Sequence, residues 1–148
     1  MSQKTISGIN FRSLVVAGFV AGYLMFFIDH WFSGLFGLFG FFPGTSSPWW
    51  MLEHHIDSIV IALLFAWPVI YGIMPGPGWF KGSVFGLLWG IAFIIVELIA
   101  GALGAKAFKQ IPFNAYFVFT SLILHVIYGF FLGAIYVPDK SGSPEPQM

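Results

Sequence analysis

Residues 49–57, WWMLEHHID, place Glu53, His54, His55 and Asp57 in one short stretch behind two tryptophans. The chain has only four His, and 8% of its residues are Asp, Glu, Lys or Arg. Carboxylates and imidazoles carry protons near neutral pH and ligate divalent metals. On a helix, Glu53 and Asp57 (i, i+4) and His54 and Asp57 (i, i+3) share a face. His55 points away from that face by roughly 150° at about 100° per residue. It is therefore expected to lie at the interface under Trp49 and Trp50, outside the site. Asp29, His30, Glu97 and His125 are the other ionisable residues set within apolar runs.

The elements that position these groups follow from composition. Hydrophobic residues make up 58% of the 148, and the mean hydropathy is +0.88. Soluble domains run near 45–50% apolar and about 25% charged, so too few polar side chains are present to cover a water-facing surface. The chain reads as an all-α, polytopic integral membrane protein. Its formal net charge is zero and no basic or acidic run exists, which argues against nucleic acid as a partner. The absence of Cys excludes disulfides, thiolate metal sites and catalytic thiols. The N-terminal apolar run continues to membrane length with no clear cleavage motif, so it is expected to be a retained first span.

A spanning helix needs about 20 mostly apolar residues. Four segments qualify, over about 13–36, 49–73, 80–103 and 113–137, forming an up-down four-helix bundle within a single domain, 1–137. The breakers between them are GFFPGTSSP, MPGPG and GAKAFKQIP. Trp49, Trp50, Trp79, Tyr116 and Tyr136 fall near span ends, as interfacial rings do. Residues 138–148 read as a polar, disordered tail. Lys4, Arg12, Lys81 and Lys140 fall on one side of the bilayer, and Lys106 and Lys109 on the other. This bias makes the first side cytoplasmic, with both termini inside.

At about 1.5 Å per residue, Asp29, His30, Glu53, His54, Asp57 and Glu97 come out in the outer half of the bilayer and His125 near the middle. Glycine rows show which faces turn inward: Gly18 and Gly22, then Gly82, Gly86 and Gly90, then Gly129 and Gly133. Such small-xxx-small rows, a glycine zipper, let helices approach closely. The ionisable residues are in phase with them. Gly18, Gly22 and Asp29 recur with the same spacing as Gly86, Gly90 and Glu97, which suggests a 2+2 parallel repeat about the membrane normal.

A buried carboxylate costs roughly 2.5–3.5 kcal/mol near the bilayer centre on insertion scales, whereas interhelical hydrogen bonds average only about 0.6 kcal/mol. Holding helices together is a poor return for several buried acids. The expectation is therefore a shared polar site of Asp57, Glu97, His54, His125, Glu53, Asp29 and His30, with Asp57 and Glu97 in one hydrogen-bonded or water-bridged network. It would handle protons, or bind a metal or small ligand. Metal ligands would come from His54, Asp57, Glu97 and His125, although neither Glu-x-x-His nor His-Glu-x-x-His occurs. Haem would need an axial pair such as His30 and His54, and the 19 Phe would line its pocket or face lipid. Ser33, Ser58, Thr120 and Ser121 stand in no hydrolase context, so an enzyme is not expected.

The stretch LHVIYGFFLGAIY (124–136), with AGFVAGYLM (17–25), resembles small four-helix bacterial inner-membrane proteins of the YagU-like kind, through His125, Tyr128, Gly129 and Gly133. The resemblance covers under a quarter of the chain and does not include EHHID. It implies an inner-membrane location and a link to acid or proton stress. The competing expectation is structural. Lipid would be the main neighbour, and the glycine faces would pack in a homo-oligomer or as a non-catalytic accessory subunit of a larger membrane complex.

Overall fold

The computed structural model describes residues 8–139 except 34, 43, 46, 107 and 110. Lys4, Lys140 and most of the expected tail, 140–148, therefore lie outside the described residues. The described chain is all-helical: α1 (Phe11–Trp31), a 3-10 turn (Leu38–Phe41), α2 (Pro48–Ala66), α3 (Pro68–Ile73), α4 (Gly78–Ala102) and α5 (Ala115–Ile135). The N-termini of α1, α2 and α5 follow capping chemistry. The side chains of Asn10, Ser47 and Asn114 accept the backbone N–H of Ser13, Trp49 and Phe117. Pro48 adds a pre-set φ at the start of α2.

Three helices, α1, α4 and α5, are long and apolar enough to cross a membrane. The second expected span, 49–73, is divided. Pro68 lacks the N–H that would continue the ladder and disfavours a helical residue before it; Trp67 is accordingly extended, at φ −58 and ψ 126. What remains as α2 has 19 residues and carries Glu53, His54, His55, Asp57 and Ser58. The first expected span, 13–36, also ends early, at Trp31, because the chain turns back and packs the 3-10 turn against α1.

α1 lies between α2 and α5, and α4 packs along α5; α2 reaches α4 at the rings of Phe65 and Phe85, 5.2 Å apart. Glycines set the close seams. On α1, Gly18 faces Ala62 and Gly22 faces Ser58 of α2. Between α4 and α5 the backbones themselves touch: a Cβ on Gly82 would meet the Gly129 carbonyl and come within 2.8 Å of the Gly133 Cα. A Cβ on Gly90 would stand 2.9 Å from the Cβ of His125, so Gly90 makes room for the imidazole. The two halves of the expected duplication, α1–α2 and α4–α5, are each packed pairs that meet asymmetrically, through α1 and α5. Further ties are Tyr128 Oη donating to the Ser58 carbonyl (2.5 Å), Tyr116 Oη to the Phe36 carbonyl, and the Val137 N–H to Ser13 Oγ (2.8 Å).

Candidate functional site

Beyond the Phe65–Phe85 contact, α2 and α4 leave a cleft of about 570 Å³ between them. It lies toward the end carrying the 32–47 and 103–114 connections, because Leu38, Phe39, Phe42 and Phe108 contribute to its lining. One wall is the α2 face of Glu53, His54 and Asp57. Trp89 and Phe93 of α4 form the facing wall, and His125 of α5 lies between. The i, i+4 spacing of Glu53 and Asp57 turns both carboxylates to this wall, where they are exposed.

His54 is held in an aromatic frame. Its ring stacks on Trp50 with centroids 5.3 Å apart and planes within 3°. Phe39 meets it edge-on at 5.0 Å. Its Nε2 lies 3.1 Å from the Gly22 carbonyl. A carbonyl only accepts, so Nε2 carries the proton and neutral His54 keeps a lone pair on Nδ1. His125 is arranged in mirror fashion. Its Nδ1 donates to the Ser121 carbonyl at 2.7 Å, which leaves the lone pair on Nε2, and Phe93 lies 5.2 Å from its ring. The cleft thus gathers two carboxylates and two imidazoles whose tautomers are fixed from behind. Ser58 Oγ spends its proton on the His54 carbonyl. No Lys or Arg lines the cleft among the described residues.

The remaining expected residues go elsewhere. Asp29 is buried on α1, where its Oδ1 accepts the Leu38 N–H at 2.6 Å and its Oδ2 the Phe39 N–H at 3.2 Å. It anchors the start of the 3-10 turn and so positions Leu38 and Phe39 at the cleft. His30 is exposed and stacked on Phe26 at 5.9 Å. Glu97 is fully buried, does not line the cleft, and has no hydrogen-bond partner on either oxygen among the described residues. It sits one turn along α4 from Phe93, on the row that faces α5. No direct hydrogen bond joins Asp57 or Glu97 to His54 or His125 among the described residues, and Glu97 stands outside the cleft that Asp57 lines. Nor is His55 at an interfacial belt. It is buried between α2 and α1, with Phe19 at 4.6 Å, its Nδ1 donating to the Met51 carbonyl and its Nε2 unpartnered. α2 has protein on two sides, so the face opposite the cleft is also covered.

No three or more of the described His, Asp or Glu residues come together closely enough to hold a metal ion, so His54, Asp57, Glu97 and His125 do not form a ligand set. His30 and His54 are separated by the ring of Phe26, which lies 5.9 and 6.3 Å from them. The sequence reading missed Phe39, Trp50, Trp89 and Phe93 as walls of the site. Trp50 precedes His54 by one helical turn, and that spacing was the available signal. Comparison with family models, with curated proteins and with solved structures found no match.

Proposed function

We propose that this is a small integral membrane protein of the YagU-like kind, in an inner membrane with both termini cytoplasmic. Its cleft takes up protons or a small ligand from the outer side. α2 with α3 is the fourth crossing, completing an up-down bundle closed by the glycine zipper. The pairing of α2 with α1 supports this, since contacts run from Phe26–Trp50 through Gly18–Ala62 to Gly8–Pro68. The polar face of α2 then meets the cleft instead of lipid, which removes the objection to its low hydropathy.

The observation that carries the reading is the cleft itself. Two imidazoles with backbone-fixed tautomers and two carboxylates share one cavity with no Lys or Arg among the described residues. Pockets of roughly 300–1,000 Å³ with apolar walls and a few convergent polar groups are the usual form of a ligand site. The test is proton uptake by the reconstituted protein, wild type against Glu53→Gln/Asp57→Asn and His125→Gln, with and without added ligands. Titration curves that coincide for all three, with no ligand taken up, would refute it. The rival reading, a structural subunit in a homo-oligomer or larger complex, draws on the wide apolar face that α4 leaves exposed, from Leu87 and Leu88 to Val96 and Ile99.

A further inference from the structure

We infer that the cleft between α2 and α4 binds a hydrophobic organic cation, such as a quaternary ammonium, a phosphonium or a protonated lipophilic amine. The inference rests on the cleft being a ligand site and names the class of ligand. The ionisable side chains lining the cavity are acceptors or anions, and Trp50 adds an indole N–H donor to the lining. Glu53 and Asp57 supply carboxylates, and neutral His54 and His125 each keep one unbonded ring nitrogen. His125 is only 6% exposed, so its nitrogen is not simply a surface group. The indole N–H of Trp89, a donor in the same wall, is sealed and presents nothing to the cavity. An anionic ligand would meet two carboxylates and no cation.

The walls favour the same class. Trp50, Phe39, Trp89 and Phe93 line the same cavity as the carboxylates. Aromatic faces attract a cation, most strongly where water is excluded. The protein already holds an ammonium by similar chemistry elsewhere. At the turn between α3 and α4, Lys81 Nζ lies 4.8 Å over the Tyr71 ring while donating to the carbonyls of Tyr71 (2.9 Å) and Met74 (2.7 Å). In the cleft the rings and acceptors are present, but no Lys or Arg lines it among the described residues. A strongly hydrated ion such as Na⁺ would lose its shell against phenyl and indole walls. An organic cation has little hydration to lose and apolar surface to bury.

The test uses the full chain in phosphatidylcholine nanodiscs. Its probes are tetraphenylphosphonium, its anionic counterpart tetraphenylborate, and neutral triphenylphosphine oxide. Binding is measured by equilibrium dialysis, with uptake by protein-free nanodiscs subtracted, and by quenching of tryptophan emission. Tetraphenylphosphonium is expected to saturate at one per chain and tetraphenylborate to show no saturable binding. Glu53→Gln/Asp57→Asn should weaken the phosphonium by about tenfold or more, since two countercharges are lost. Both positions are exposed, so the amides leave the fold intact, and circular dichroism verifies this. If all three probes bind alike and the double variant changes nothing, the cation inference is overturned while the ligand-site reading stands. If none binds but the double variant still alters proton uptake, the inference fails and only proton handling remains. If none binds and proton uptake is also unchanged, both readings fail.

Discussion

Replacing Asp29 tests how the cleft is built. Its two carboxylate oxygens each take one backbone N–H, from Leu38 and Phe39, at a site 3% exposed. Hydrogen bonds to a charged group contribute about 1.5–3 kcal/mol each, and a buried donor left bare costs about 1–3 kcal/mol. Asp29→Ala strands both N–H groups and is expected to destabilise the fold by about 3–5 kcal/mol. Asp29→Asn keeps one acceptor but turns an amide NH₂ toward the other N–H, for a loss of about 1.5–3 kcal/mol. The assay is unfolding in mixed micelles of increasing SDS fraction, followed by tryptophan emission. Trp50 serves as a local reporter, because the Phe39 ring that Asp29 positions lies 5.1 Å from it. Loosening of the 3-10 turn should shift Trp50 emission before global unfolding. Asp29→Ala within about 0.5 kcal/mol of wild type, the range of an ordinary surface change, would refute the anchoring role.

Gly129→Ala should force α4 from α5 and cost about 1–3 kcal/mol by overpacking, because its Cβ would meet the Gly82 carbonyl and stand 2.9 Å from the Gly86 Cα. Gly72→Ala, with nothing within 4 Å of the new Cβ, should instead stabilise slightly in the same SDS titration. Glu97→Met should raise stability by about 1–3 kcal/mol, since both buried oxygens lack partners; a loss would show that the carboxylate has a partner after all. Lys81→Met should weaken the α3–α4 turn by about 1–3 kcal/mol through the loss of two charge-assisted bonds, read as faster proteolysis at that turn.

The helices α1, α4 and α5 were legible in the sequence because each is a long apolar run between Gly, Pro or Asn breakers. The division at Trp67 was legible only in part. Pro68 stands in the open, but apolar residues on both sides of it imitate one continuous span. Spacing along α2 was enough to put Glu53 and Asp57 on one face, since a helical period needs no tertiary information. Depth alone could not separate Asp29 and Glu97 from the groups in the cleft. The partners of Asp29 are backbone groups nine and ten residues later, on a segment whose fold-back leaves no periodic signal. Glu97 depends on how α5 closes over α4, which no helical period reveals. The same holds for His55: the period put it off the cleft face, but only the position of α1 decides that this second face is buried.

The direct backbone contact along α4 and α5 has a mechanical consequence. Where Gly82 and Gly86 meet Gly129 and Gly133 backbone lies on backbone, so these helices cannot rotate about their own axes without a clash and move as one plank. α1 and α2, seated on each other through Gly18 and Gly22, form a second. The two planks meet along α1 and α5, and again where Phe65 of α2 packs on Phe85 of α4, so the cleft is closed at that end. Its width depends on how the planks pivot about these contacts, with the bond from Tyr128 to Ser58 tying one to the other.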